Sequence, residues 1–164
     1  MTSRDATNFL AGLLICWFFL GVPLKLSADD RRPYEVQSIS IEKMDAVIRR
    51  AGDCLVVVMA AWCHPCIEEL PALKALNQKY ARKGLRMVGL SLDYGGPQAM
   101  EPLLKAQQIR FPVYWTGEAA IEKYAITKIP LLIFFRDGRV VQRLQGQRSR
   151  AALEKEIVRF LKDA

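Results

Sequence analysis

The amino-acid sequence predicts an α/β fold in which a central mixed β-sheet is flanked by helices, as a three-layer sandwich. Short apolar runs typical of buried strands alternate with stretches whose apolar residues recur every three or four positions, as on one face of a helix. Near the C-terminus, two strand-like runs are joined by Asp137-Gly138, a pair that favours a tight hairpin turn. The order of these segments is that of an α/β sandwich.

The N-terminal half of the predicted domain contains two strands, each followed by a helix. Residues 35–39 alternate weakly in hydropathy and predict an edge strand, whereas residues 55–60 are wholly apolar, as expected of a buried strand. The first helix closes at Gly52, and the second stops at Gly84. Their apolar stripes consist of Ile41, Met44, Val47 and Ile48 in the first helix, and Ile67, Leu70, Leu73, Leu76 and Tyr80 in the second.

The C-terminal half continues the alternation and ends in a hairpin and a helix. Residues 86–92 predict a second central strand, residues 111–115 an extended segment, and residues 131–135 and 139–144 the two strands of the hairpin. Helices are predicted by Met100, Leu103 and Leu104, by Ile121 and Tyr124, and by a closing stripe of Leu153, Ile157, Phe160 and Leu161.

The N-terminal segment is predicted to direct export. Residues 9–24 read FLAGLLICWFFLGVPL, an uncharged run that suits the core of a signal peptide and is short for a membrane-spanning helix of about 20 residues. We expect residues 1–28 to be a signal peptide cleaved after Ala28, or alternatively an uncleaved membrane anchor. Residues 29–33 would then link it to a domain spanning residues 34–164, in the periplasm or another extracytoplasmic space.

The formal net charge of +7 narrows the choice of partners. The basic residues are scattered along the sequence, and no aromatic residues lie between them in a way that would stack bases, so no nucleic-acid partner is expected. The charge favours at most acidic partners or lipid head groups. Membrane contact is expected only through residues 9–24, if these are retained.

The four cysteines predict different roles. Cys16 lies in the apolar N-terminal run, and Cys54 opens an apolar strand, where cysteine is usually a small buried residue. Cys63 and Cys66 form a C-x-x-C pair. A structural zinc site needs four ligands, and the remaining cysteines and His64 lack the spacing of a second pair. A purely structural disulfide across so small a loop would constrain little of the unfolded chain. We therefore expect a redox-active disulfide and neither a metal nor an organic cofactor.

The position of the pair predicts its chemistry. Cys63 follows the carboxyl end of a predicted strand, and Cys66 begins the next helix, where Pro65 suits the first turn. The helix dipole favours a thiolate there, so we expect Cys63 to be the exposed nucleophile and Cys66 the resolving thiol. Trp62 would shelter one side of the site. Protonated His64 would stabilise the thiolate and make the disulfide more oxidising; the alternative is an exposed residue without a role.

Together these features resemble the thioredoxin superfamily. The resemblance rests on A-x-W-C-x-x-C at 60–66, on Pro71, on Ile129-Pro130 before a central strand, and on the closing hairpin and helix. It implies a cis-proline loop that packs beside the cysteines, so that Ile129 and Pro130 hold an extended substrate peptide. The segment 91–124 and the pattern C-x-x-E-x-P at 66–71 are similar to a central insert and a motif of the TlpA/ResA-like exported reductases.

One position departs from the family pattern. Six residues before the first cysteine, thioredoxins carry a buried aspartate that relays protons, and this subgroup commonly carries asparagine; here the residue is Val57. Asp93, at the carboxyl end of its predicted strand, could act instead, although solvated loop carboxylates are far commoner than catalytic ones.

The resemblance implies a thiol–disulfide oxidoreductase that acts on exported proteins carrying disulfides or thiols. A TlpA/ResA-like member would be a protein-disulfide reductase, recharged by a membrane electron carrier, with cytochrome c maturation as one pathway. Two alternatives remain. A general oxidant would donate its disulfide, but such members usually carry a larger helical insert. A redox-silent binding module would not need both cysteines.

Overall fold

A six-stranded mixed sheet is the centre of the computed structural model, which describes residues 34–163. Its strands are β1 (Val36–Ser38), β2 (Cys54–Met59), β3 (Arg86–Ser91), β4 (Val113–Trp115), β5 (Leu131–Arg136) and β6 (Arg139–Gln145). The order across the sheet is β1-β4-β3-β2-β5-β6. The first four strands in this order run parallel, and β5 and β6 add two antiparallel pairs. The mixed sheet is as predicted.

The helices cover both faces of the sheet. They are α1 (Ile41–Ala51), α2 (His64–Tyr80), α3 (Glu101–Gln107), α4 (Ala119–Lys123) and α5 (Arg150–Lys162). Successive residues of a strand point to opposite faces. In β2, Leu55, Val57 and Met59 therefore join one apolar cluster with α2, α3 and α5, and the intervening residues join another with α1 and α4. These two clusters confirm the three-layer sandwich.

Most of the predicted element bounds agree with the structure to within a few residues. The hairpin turn has both Asp137 and Gly138 at positive φ, as the tight-turn prediction requires. Ile121 lies in the short helix α4 as predicted and Tyr124 caps its C-terminus, although Ile121 is exposed and Ala120 is the buried residue of the helix. A helix of only five residues has little room for a stripe. Residues 91–124, the segment that resembles a central insert, contain α3, β4 and α4.

The predicted export segment lies outside the described residues. The signal peptide or anchor of residues 1–28 and the linker of residues 29–33 therefore stay predictions. Within residues 34–163, no helix is long and apolar enough to cross a membrane.

Gly89 allows the central strands to pack closely beneath the candidate site. A Cβ atom at this position would lie 2.7 Å from Met59 Cε and 2.8 Å from Val113 Cγ2. The end of a methionine side chain can move, but the short branched valine on the adjacent strand has little room to retreat. The absence of a side chain at Gly89 is therefore a packing requirement.

We predict that Gly89→Ala destabilises the fold by about 1–3 kcal/mol, the usual cost of overpacking a core. Denaturant unfolding followed by circular dichroism would measure the loss. Gly95→Ala is the matched control, because a Cβ atom there would lie 3.5 Å from its nearest neighbour, Ala99 Cβ, an ordinary contact. Equal stability of the two variants would show that the cluster around Gly89 accommodates a methyl group.

Candidate active site

Cys63 and Cys66 form a disulfide where β2 gives way to α2. Cys63 caps the N-terminus of the helix, and its N–H donates to the Ala60 carbonyl over 3.1 Å. The N–H of Cys66, in the first turn, points at Cys63 Sγ over 3.3 Å. The predicted pairing of the two cysteines is confirmed, and Pro65 lies in the first turn as expected.

Both half-cystines are largely buried in the oxidised state. Cys63 is 5% exposed and Cys66 2%, whereas the sequence led us to expect an exposed Cys63. The difference arises because both residues pack into the apolar cluster that includes Leu70 and Leu73 of α2. Cys63 is slightly the more accessible of the two, and its role as the first to react stays a prediction.

Trp62 stacks on Tyr94, a residue that the sequence reasoning did not select. The two rings are 5.9 Å apart between centroids and nearly parallel, at 10°. Trp62 is 56% exposed and Tyr94 77%. The expected shelter of the disulfide by Trp62 stays a prediction, since the ring contact that the structure gives Trp62 is with Tyr94. The stacked pair forms an exposed aromatic surface, and Trp62 directly precedes Cys63 in the sequence. The only sequence signal for Tyr94 was its position just after a central strand.

Asp93 holds the backbone that leads into the cysteine pair. Its two carboxylate oxygens accept the Ala61 N–H at 2.9 and 3.2 Å, and Oδ2 also accepts the Ser91 hydroxyl at 2.7 Å. The side chain is buried, so the reading as a solvated loop carboxylate is wrong. Within the described chain, the hydrogen bonds of the carboxylate go to Ala61 and Ser91 and not to a cysteine. Asp93 thus anchors the loop.

His64 begins α2 and lies at the surface. Its side chain is 81% exposed, and Nε2 lies 3.1 Å from Oε1 of Glu68, one turn further along the helix. A protonated imidazole here is shared with this carboxylate and with solvent, which weakens its effect on the neighbouring sulfur. His64 is next to Cys63 in sequence, but the side-chain partner that the structure gives it is Glu68 and not the disulfide.

The proline loop reaches the same end of the sheet as the disulfide. The Ile129–Pro130 peptide bond is cis, which confirms the expectation of a special turn. Val58 pairs with Leu131, so Pro130 comes beside the end of β2 from which the cysteine loop leaves. Ile129 packs against the apolar cluster that contains both half-cystines, and the Pro130 carbonyl accepts the Gly146 N–H at 2.8 Å.

Glu69 is a buried carboxyl that the sequence reasoning placed in a motif but did not select as a functional residue. It lies three residues after Cys66, on the same face of α2. Its Oε1 accepts the Arg148 N–H at 2.8 Å, while Oε2 has no hydrogen-bond partner among the described residues. Burial raises the pKa of Glu69 above its usual range. The predicted proton-relay position, Val57, is buried and apolar.

The other candidates for redox or metal chemistry are accounted for within residues 34–163. Cys54 is buried, and burial raises the pKa of its thiol to about 12, which confirms the prediction of an inert small residue. No group of three or more His, Cys, Asp or Glu side chains in this part of the chain could hold a metal ion. The expected lack of a cofactor stays a prediction.

The sheet order, the flanking helices and a C-x-x-C disulfide at a helix N-terminus define a thioredoxin-like protein. The chain belongs to the AhpC/TSA family, whose model matches residues 35–143.

Similar proteins agree with this assignment. Thiol-disulfide oxidoreductase ResA of Bacillus thuringiensis subsp. konkukian is 30% identical over 95 residues. The match covers 57% of this chain and 54% of ResA, so the chain spans about half the length of this curated relative. A thiol:disulfide interchange protein of the thioredoxin family from Chlorobium tepidum TLS has a TM-score of 0.63 at 24% identity, covering 80% of this chain and 99% of that one. StoA of Bacillus subtilis has a TM-score of 0.55 at 20% identity, covering 64% and 81%. The two solved structures show the fold.

We predict that Asp93→Ala destabilises the protein by roughly 2 kcal/mol, because the part-buried Ala61 N–H and the buried Ser91 hydroxyl both lose their partner. Thermal or denaturant unfolding would measure this loss. Asp93→Asn is the matched control: its amide oxygen can still accept the Ala61 N–H, and its amide group can donate to Ser91. An equal loss in both variants would contradict the anchoring role and indicate that the negative charge itself is needed.

Proposed function

We propose that this chain is a thiol–disulfide oxidoreductase that acts as a dithiol reductant of exported proteins, with Cys63 as the nucleophile and Cys66 as the resolving thiol. The observation that carries the proposal is the position of Cys63 Sγ. It lies at the N-terminus of a 17-residue helix, where the Cys66 N–H points at it. A thiolate in this place gains both a hydrogen bond and the favourable end of the helix dipole, which lowers the pKa of the thiol.

The first step is attack on the client. The Cys63 thiolate attacks one sulfur of a client disulfide, which forms a Cys63–client disulfide and breaks the client's S–S bond. The second client sulfur leaves as a thiolate and takes a proton from solvent. No oxidant or reductant other than the two thiols of the pair is needed, because the client gains the two electrons that the pair loses.

The second step releases the client and requires a proton acceptor for Cys66. Glu69 fills this role: it is buried one turn from Cys66, has a free oxygen within the described chain, and its raised pKa makes the carboxylate a better base. The Cys66 thiolate then attacks Cys63 Sγ, and the client's remaining sulfur leaves. The product is the Cys63–Cys66 disulfide seen in the structure.

Client binding uses the surfaces beside the disulfide. Ile129 and Pro130 hold the extended client backbone at the end of the sheet where the disulfide lies. The Trp62–Tyr94 stack offers exposed apolar area for client side chains, since aromatic residues supply much contact area at a low cost in conformational entropy. The clients would be exported proteins that carry disulfides, with apocytochrome c as one candidate.

The direction of electron flow is part of the proposal. The protein would act in the periplasm or another extracytoplasmic space and be recharged by a membrane electron carrier. Support for this direction comes from the sequence resemblance to the exported reductases, while the name of the relative, thiol-disulfide oxidoreductase, supports only the class of reaction. A general oxidant is the alternative. Equilibration with thiol buffers separates them, because thioredoxin-like reductants lie near ~−270 mV and strong oxidants near ~−120 mV. A redox-silent binding module would fail to reduce insulin.

The division of labour between the cysteines gives the main test. We predict that Cys63→Ser abolishes disulfide reduction, while Cys66→Ser attacks clients but cannot release them and so accumulates mixed disulfides. Non-reducing electrophoresis and mass spectrometry of adducts that the reduced variant forms with disulfide-containing insulin or periplasmic extracts would detect them. Trapping through Cys66 in the Cys63→Ser variant would reverse the assignment, and an inactive wild-type protein would refute the proposed function.

Glu69→Gln should slow client release at least tenfold without slowing the initial attack, because a general base contributes about 10²–10⁴ to a rate. In the wild type, release should accelerate as pH rises and the Glu69 carboxyl ionises, and this pH dependence should flatten in the variant. Stopped-flow measurement of mixed-disulfide decay would show both effects. Glu68→Gln is the matched control, since Glu68 is the adjacent but exposed glutamate. Identical profiles for the two variants would remove Glu69 from the mechanism.

A further inference from the structure

Basic side chains that are scattered along the sequence meet at one end of the sheet, opposite the disulfide. We call this surface the basic end. It consists of Arg49, Arg50, Arg82, Lys83, Arg86 and Arg139, all of which are exposed.

The topology explains why these residues converge. Both α1 and α2 begin near the disulfide end of the sheet, so the last turn of α1 and the short helix Ala81–Lys83 after α2 lie at the far end. Arg86 begins β3, paired with Cys54 at the start of β2, and Arg139 begins β6. Arg49 bridges these elements, because its Cγ lies 2.5 Å from where a Cβ atom on Gly138 would be.

The charges of the basic end are largely uncompensated. Asp53, which lies among them, is occupied by Arg136, whose Nε is 3.1 Å from Oδ1. The six side chains make no ion pair within residues 34–163. Lys83 lies over the Tyr80 ring at 5.2 Å, a contact that leaves its charge in place. Asp137 in the β5–β6 turn and Asp163 after α5 also lie at this end, so the six basic side chains leave an excess of positive charge spread over all three layers.

We propose that the basic end binds the surface of an anionic lipid bilayer. A planar array of negative head groups matches basic residues spread over two helix ends and two strand ends better than a single small anion would, and each Lys or Arg near such a surface contributes favourably.

This binding gives the domain an orientation. The six-residue strand β2 separates the basic end from the cysteine loop by about 20 Å. With the basic end on the bilayer, the disulfide faces away from it and stays open to proteins in the surrounding space. The inference does not rest on the redox activity. A variant in which both Cys63 and Cys66 are replaced by serine should bind lipid as well as the wild type does.

Vesicle co-sedimentation of the full chain tests the proposal. Phosphatidylglycerol vesicles should retain the protein, phosphatidylcholine vesicles should retain much less, and added salt should abolish the difference. Residues 9–24 are present in every sample, so the difference between the two lipids isolates the contribution of charge. The triple variant Arg49→Gln, Arg82→Gln, Arg139→Gln should lose roughly a hundredfold in partitioning onto phosphatidylglycerol.

The matched control removes the same charge at the disulfide end, with Lys43→Gln, Lys128→Gln and Arg150→Gln. It should keep most of the lipid binding, and circular dichroism should show both triple variants folded. Equal losses of lipid binding in the two triple variants would show that net charge, and not the basic end, governs binding, and would overturn the proposal. Binding that does not depend on lipid charge would also overturn it. Competition by inorganic phosphate, or stronger retention on a DNA oligomer, would identify a soluble phosphate or nucleic acid as the ligand instead and would equally overturn it.

Discussion

The junction between a buried strand and the following helix is the constraint on which the rest of the structure depends. β2 is central, paired on both sides, and apolar throughout, so its end is held rigidly. Four residues after that end the chain must supply the N-terminal cap of α2. Cys63 is that cap, and its position therefore follows from the packing of β2 and α2 rather than from the disulfide. The helix N–H groups that are left without partners by any helix start become the feature that favours a thiolate.

The buried polar side chains are concentrated around this junction. Among the described residues they are Glu69, Ser91 and Asp93. Burial of polar groups is costly unless they are hydrogen-bonded. Asp93 meets this condition through Ala61 and Ser91, and so it fixes the loop. Glu69 meets it at one oxygen only, which leaves a carboxyl whose protonation can change. Asp93 therefore serves to hold the loop, whereas Glu69 keeps one carboxylate oxygen without a hydrogen-bond partner among the described residues.

The periodicity of apolar residues predicted the order of the helices and strands, and the C-x-x-C spacing predicted the cysteine pair. Both signals come from residues that are close in sequence. The proline before a strand indicated the special turn for the same reason. Contacts between distant segments could not be predicted in this way. Asp93 binds a backbone group 32 residues away, and neither its burial nor the stacking of Tyr94 on Trp62 has a local signature. The basic end was missed because its residues are near one another only after the helices and strands pack.

The basic end lies too far from the disulfide for its six charges to change the redox balance of the proposed reductant. Positive charge beside the disulfide would stabilise the thiolate, and thereby the dithiol state, and so raise the potential. The basic end lies about 20 Å from the cysteine loop, which is twice the screening length of about 10 Å at ordinary ionic strength. Its charges are therefore largely screened from Cys63. The nearest cationic candidate, His64, is shared with Glu68 and solvent. The proposed lipid binding at the basic end is thus compatible with a redox balance that we propose is set at the other end by the helix N-terminus and the buried carboxyl.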